Sequence, residues 1–157
     1  MSFLDGFGRY SIIKKRILNI TIALCIVFIL VAILLPNMKL STKAAALILP
    51  FDISTPVQLP FDSYEEYTSI AGFDRAKVVY ENNDEELILW ITTEIGWNKV
   101  ADWERTTLED GTVAHFTELD ETQVLSWQKN DVEYALDYSG PEYIAKNELV
   151  NIANSIE

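Results

Sequence analysis

The sequence predicts an α+β protein: one apolar helix near the N-terminus, then an antiparallel sheet of about six strands with a short helix before it and a C-terminal helix after it. Three observations predict this fold class. They are an uncharged segment near the start, paired β-branched and aromatic segments around Asn, Asp and Gly turns, and a stripe of helical spacing at the end. The 157 residues also include four Trp, seven Tyr and seven Phe, a content typical of a packed chain and not of a disordered one.

The uncharged segment begins at Ile17, ends at Leu35 and contains nineteen residues. As a helix it would cover about 28 Å, which is close to the thickness of a hydrocarbon core. We therefore predict that residues 17–35 form a transmembrane helix in contact with membrane lipid. Cleavage of this segment as a signal peptide, after the small residues Ala44 and Ala46, is the alternative that the sequence leaves open.

The charges on the two flanks predict the orientation of this helix. Residues 1–16 hold one acidic side chain and four basic ones, Arg9, Lys14, Lys15 and Arg16. The near flank on the other side holds two, Lys39 and Lys43. The positive-inside rule then makes residues 1–16 a short cytoplasmic tail of a single-pass protein in the cell membrane and places the C-terminal domain outside.

The segment after residue 35 is strongly acidic. It holds 8 basic and 23 acidic side chains, a formal net charge of −15. Because phosphate backbones and anionic headgroups repel such a surface, we expect no nucleic-acid partner.

The start of this acidic part predicts a linker and then a short helix. Residues 36–49 are expected to be a juxtamembrane linker, and residues 50–157 an extracytoplasmic α+β domain. Three prolines between residues 50 and 60 favour an extended chain there. Ser63 and Glu66 have the spacing of a capping box, which predicts a helix over residues 64–71 that ends before Gly72.

Three hairpins are predicted next, followed by a helix. The strand segments pair as 77–81 with 86–92, 103–108 with 112–118, and 123–129 with 132–138, and each pair flanks a turn rich in Asn, Asp or Gly. In the last hairpin Trp127 falls on the apolar face. Beyond it, an apolar stripe of helical spacing predicts a terminal helix docked on the sheet: Leu149, Ile152, Ala153 and Ile156. Ala145, before this helix, cannot cap it.

Few side chains are suited to catalysis or metal binding. His115 is the only histidine and lies in a predicted strand, and no G-x-S-x-G turn is present. The single cysteine, Cys25, excludes an intramolecular disulfide and a site with several Cys ligands. The acidic clusters 84–86 and 120–121 lack the pattern of a calcium loop. We therefore expect no catalytic residue, no cofactor, no metal site and no enzymatic activity.

Tryptophans between and on the strands predict a ligand or partner surface. Residues 94–99 join two strands and would expose Trp97 and Asn98. Trp90 and Trp103 lie on the flanking strand segments and are candidates for the same surface.

The end of the chain resembles a known type of domain. The segment LSWQKNDVEYAL at 125–136 and the helix ELVNIANSI at 148–156, together with 56–61 and the strands 78–82 and 87–89, resemble an uncharacterised extracytoplasmic domain of bacteria. In that family the domain is tethered by one transmembrane helix and often follows a cytoplasmic anti-sigma-factor segment. The likeness covers about two-thirds of this chain. Its sixteen residues before the apolar segment leave no room for a sigma-binding domain, so that role is not carried over.

The function predicted from these observations is that of a membrane-anchored extracytoplasmic interaction or sensory domain without catalysis, which engages an envelope protein or peptide. The alternative is an extracytoplasmic enzyme, or a small-ligand carrier with a pocket lined by Trp residues, in which His115 and the acids would be the only reagents. The sequence leaves the partner, the process and the oligomeric state open.

Overall fold

A computed structural model describes residues 5–62, 64–72, 74–94, 103–119 and 121–156. Contacts within the chain divide it into two compact units, Met1–Pro36 and Asn37–Glu157. The segment predicted as a linker therefore lies almost wholly in the second unit.

The first unit is the helix α1, Asp5–Leu34. A short 3-10 turn, Leu35–Asn37, follows it. Its apolar side chains are exposed over consecutive positions, and each of those from Ile26 to Val31 is at least 50% exposed. Among the residues whose side chains the structure describes, no helix is both long enough and apolar enough to cross a membrane.

The second unit is built on one antiparallel sheet of seven strands, in the order β1-β2-β3-β7-β6-β5-β4. Together with the short helix α2, Thr42–Ala46, and the C-terminal helix α3, Lys146–Asn154, this makes it an α+β unit, as predicted. The strands are β1 Glu65–Ile70, β2 Arg75–Glu81, β3 Glu86–Thr92, β4 Glu104–Thr107, β5 Val113–Leu119, β6 Thr122–Lys129 and β7 Val132–Ser139.

The predicted helix over residues 64–71 is wrong, because these residues form β1. Thr68 pairs with Val78 and Ile70 with Ala76, and all four side chains are 0% exposed. Burial of alternate residues against β2 outweighs the local capping pattern, of which Ser63 lies outside the described residues. β1 is the strand added to the predicted six. A short helix does precede the sheet, but it is α2, whose first turn Ser41 caps by accepting from Ala44 N at 3.3 Å.

The three predicted hairpins are confirmed with small shifts of their ends. Asn130 and Asp131 both have positive φ, 52° and 62°, and form the two-residue turn between β6 and β7. This conformation matches the twist of the paired strands. Gly111 in the β4–β5 turn has φ 85°, which an L side chain rarely adopts.

One face of the sheet, called here the first face, carries the core. Val78, Leu89, Leu136 and Leu125 lie side by side across four strands and are fully buried. α2, residues 50–61 and α3 cover this face. The contacts that place them are Thr42 Oγ1 to Thr68 Oγ1 at 3.2 Å, a β-bridge between Pro56 and Ile156, and two hydrogen bonds between Gln123 and Ile144.

The apolar stripe of the C-terminal helix is confirmed. Leu149, Ile152 and Ala153 are buried, and Ile156 follows the helix in a bridge. Ala145 occupies the N-cap without a side-chain hydrogen bond, as its sequence position predicts.

Candidate functional site

The opposite face of the sheet, the second face, carries a row of polar and aromatic side chains at its centre. The strand register aligns six residues across it: Lys77, Trp90, Ala135, Ser126, His115 and Arg105. We call this set the polar row. Direct cross-strand neighbours of this kind have Cβ atoms about 5 Å apart.

Trp90, one of the residues predicted for a partner surface, lies in the polar row. It is half-buried, and the ammonium group of Lys77 lies 5.6 Å from the centre of its ring. At that distance the cation and the negative face of the indole attract each other.

The other predicted surface residues are not all brought together with Trp90. Trp103 lies directly before β4, so that β5, β6 and β7 separate it from β3 in the sheet. Its indole nitrogen is buried and makes no hydrogen bond within the described part of the chain. Trp97 and Asn98 lie outside the described residues.

Ser126 and His115 are direct cross-strand partners in the polar row. Ser126 is 1% exposed, and its hydroxyl has no hydrogen-bond partner among the described residues. His115 is half-buried. A serine nucleophile is activated by a hydrogen bond to its base, and no such bond joins this pair. The two residues are therefore close but are not arranged as a nucleophile and its base.

The second face also holds one half-buried carboxylate and one buried carboxylate. Asp137 lies between Ile88 and Val124, and burial raises the pKa of its carboxyl group. Glu86 raises this pKa further and Lys77 lowers it. Glu133, four residues earlier on β7, is buried. The helices α2 and α3 of the second unit lie on the first face, whereas these two acids lie on the second face.

One end of the sheet, the acidic end, gathers the carboxylates of several turns. They include Glu81, Asp84, Glu85, Glu86 and Glu121, which line one shallow depression. The hydroxyl of Tyr138 donates to Glu85 Oε1 at 2.8 Å. Within the described part of the chain, no three His, Cys, Asp or Glu side chains are grouped closely enough to hold a metal ion.

The opposite end contains a cavity of about 420 Å³, called here the turn cavity. The β4–β5 turn, the β6–β7 turn and the end of α3 enclose it, and Trp127 and Tyr134 are part of its wall. The sequence placed Trp127 on the apolar face of the last hairpin, and it is 4% exposed. Alternation also places Tyr134 on the apolar face of the partner strand but does not by itself pair the two residues. The sequence did contain one indication of the turn cavity, because the predicted β4–β5 and β6–β7 turns fall at the same end of an antiparallel sheet.

Comparison of the chain with protein-family models, curated proteins and solved structures gives no match.

Proposed function

We propose that this chain is a single-pass membrane protein whose acidic domain lies outside the cell and binds an envelope protein or peptide without catalysing a reaction. The single observation that carries the proposal is the surface of α1. Its exposed side chains are large and apolar over consecutive positions from Ile26 to Val31. In water each such side chain forgoes about 1.5–3 kcal/mol of burial free energy, and a bilayer removes that cost around the whole helix.

The length of the proposed span comes from the sequence. The described side chains of α1 run without a gap from Arg16 to Val31, a stretch of about 24 Å. The uncharged segment of nineteen residues extends four positions further, to Leu35, and reaches about 28 Å. Residues 17–35 as a whole are therefore the proposed transmembrane helix.

The orientation of the proposed span rests on its flanks. Lys14, Lys15 and Arg16 directly precede it, and this cluster favours a cytoplasmic N-terminus. Residues 50–157 then form the extracytoplasmic domain. The resemblance to tethered bacterial domains of this kind agrees with that arrangement and remains a prediction.

The proposed partner surface is the accessible part of the polar row, since Ala135 and Ser126 at its centre are buried. Trp and Arg side chains carry much of the binding energy at protein interfaces, and the second face offers Trp90 and Arg105, whereas Trp103 lies directly before β4. Trp97 and Asn98 lie outside the described residues and stay sequence-based candidates for this surface. A net charge of −15 after residue 35 makes a neutral or basic partner the better match.

Photo-crosslinking in native membranes tests this surface. A photoreactive amino acid at Arg105, an exposed member of the polar row, is expected to give one discrete adduct with an envelope protein or peptide. The matched control carries the same group at Tyr143, which is exposed near the acidic end. The same adduct from both positions, or none from position 105, would contradict the proposed surface.

A further inference from the structure

The turn cavity has the size and shape of a small-molecule site. Its volume of about 420 Å³ lies within the range of 300–1,000 Å³ that is common for ligand pockets. Its walls come from four separate parts of the fold, since Ser54 precedes the sheet, Asp110 and Lys129 lie at two turns, and Asn154 ends α3.

The floor of the cavity is apolar and aromatic. Trp127 and Tyr134 stack with ring centres 5.4 Å apart and planes 8° from parallel. Leu108 and Ala153, both buried, extend the apolar surface. Because Trp127 is 4% exposed, the half-buried Tyr134 is the ring of this pair that stays accessible to a ring with an apolar side.

At the rim of the cavity, one basic and one acidic side chain form an ion pair and neutralise each other. Lys129 Nζ lies 2.9 Å from Asp110 Oδ2, and Asp110 Oδ1 accepts from Thr112 N at 2.9 Å. The hydrogen bonds from Thr112 and Lys129 hold the pKa of Asp110 below its usual range. This ion pair is therefore satisfied within the protein and leaves no free counter-charge for an ionic ligand.

The remaining polar groups are suited to hydroxyl groups. The amide of Asn154 is oriented, since its Oδ1 accepts from Glu109 N at 3.0 Å and its NH₂ group is left to donate. Asn130, at the β6–β7 turn, and Ser54 also line the cavity, and neither side chain makes a hydrogen bond within the described part of the chain. Amides and hydroxyls can both donate to and accept from a ligand hydroxyl.

From this combination we infer that the turn cavity is a binding site for a neutral saccharide of one or two rings. The apolar face of a sugar ring lies on the Trp127–Tyr134 pair, and its hydroxyls bond to Asn154, Asn130 and Ser54. A charged ring finds no uncompensated partner except Glu109, which disfavours acidic sugars. The site is separate from the polar row, which lies on the opposite face of the sheet.

Saturation-transfer NMR on the full-length protein, in a detergent without a sugar headgroup, tests the site. The probes are maltose, cellobiose and diacetylchitobiose, together with the matched single rings glucose, glucosamine and glucuronate. The expected result is transfer to at least one neutral disaccharide, and more to glucose than to glucuronate, which the carboxylate of Glu109 repels. No transfer to any neutral sugar, or stronger transfer to glucuronate than to glucose, would overturn the inference.

A variant of the cavity and a matched control variant outside it assign any binding to the cavity. Tyr134→Ala removes the stacked ring and should weaken binding about tenfold, whereas Tyr143→Ala, the same change at an exposed position outside the cavity, should leave it unchanged. If Tyr134→Ala does not fold, Ser54→Phe serves instead, because the added ring fills the cavity and should abolish binding. Unchanged binding in the folded cavity variant would place the sugar elsewhere and overturn the site.

Discussion

The carboxyl group of Asp137 is placed where its charged form is disfavoured. Burial raises its pKa, and Glu86 acts in the same direction. A carboxyl group whose pKa is higher in the folded state than in the unfolded state holds its proton more tightly in the folded state, so protonation of this group stabilises the fold. This contribution is complete below the unfolded value of about 3.9 and is lost as the pH rises through the folded value.

Asp137→Asn should therefore stabilise the domain at neutral pH, because the uncharged amide carries no such penalty. The gain over the natural chain should shrink as the pH falls towards about 4. Urea unfolding at a series of pH values measures this difference. A gain that is independent of pH, or a loss at pH 7, would show that the charge of Asp137 is not the cause.

Trp127 contributes to stability through both burial and stacking. It is 4% exposed and lies parallel to Tyr134. Trp127→Ala should cost about 3–5 kcal/mol, a large share of the 5–15 kcal/mol typical of a domain. Trp103→Ala, the same change at a half-buried site beside β4, should cost less. Equal urea midpoints for the two variants would contradict the assignment of Trp127 to the core.

At the scale of the elements, α3 begins without a cap. Ala145 already has the extended backbone of an N-cap residue, with φ −64° and ψ 137°, but its side chain cannot accept from the free amides of the first turn. Ala145→Ser should supply that hydrogen bond and stabilise the domain by about 1 kcal/mol. Asn147→Ser, inside α3, is the control and should not raise the melting temperature. A rise for both variants, or for neither, would rule out capping as the cause.

The side chain of Gln123 links the segment before α3 to the sheet through two hydrogen bonds. Its side chain is 1% exposed, accepts from Ile144 N at 2.9 Å and donates to Ile144 O at 3.1 Å. Gln123→Leu should leave both backbone groups without partners and cost about 2 kcal/mol. Hydrogen exchange in α3 should be faster in the variant than in the natural chain, and the central strands should change less. Equal protection of α3 in the variant and the natural chain would show that packing alone holds the helix.

The elements that the sequence predicted correctly are those with local causes. The three hairpins depend on turns such as Asn130-Asp131 and on strand residues close in sequence, and α3 depends on its own stripe. β1 was missed because its strand state depends on burial of Thr68 and Ile70 against β2, whereas the capping pattern around Glu66 favoured a helix. Likewise α2 was missed because its five residues are too few for a helical period to be visible.

The candidate sites required long-range register, which no single segment of sequence contains. Ser126, His115 and Trp90 meet in one row only because β6 pairs with both β5 and β7, and β7 with β3. Tyr134 stacks on Trp127 across the final hairpin, a pairing that alternation alone predicts only once the turn length is known.

At the scale of the whole molecule, charge and hydropathy are divided along the chain. A basic N-terminal segment, an uncharged segment of nineteen residues and a part with a net charge of −15 follow one another. The positive-inside rule associates the basic segment with a cytoplasmic tail, whereas the acidic side chains contribute little to the orientation of the proposed span. The proposed partner surface and the inferred saccharide site both depend on this topology for access to the envelope.

Protease accessibility of the full-length chain, with a different epitope tag at each terminus, tests this topology most directly. Protease added to intact cells should remove the C-terminal tag and the acidic domain, and the N-terminal tag should remain in a short fragment that alkaline carbonate does not extract from the membrane. The opposite result, a C-terminal tag protected until the membrane is opened or a chain released by carbonate, would contradict the proposed anchor and its orientation.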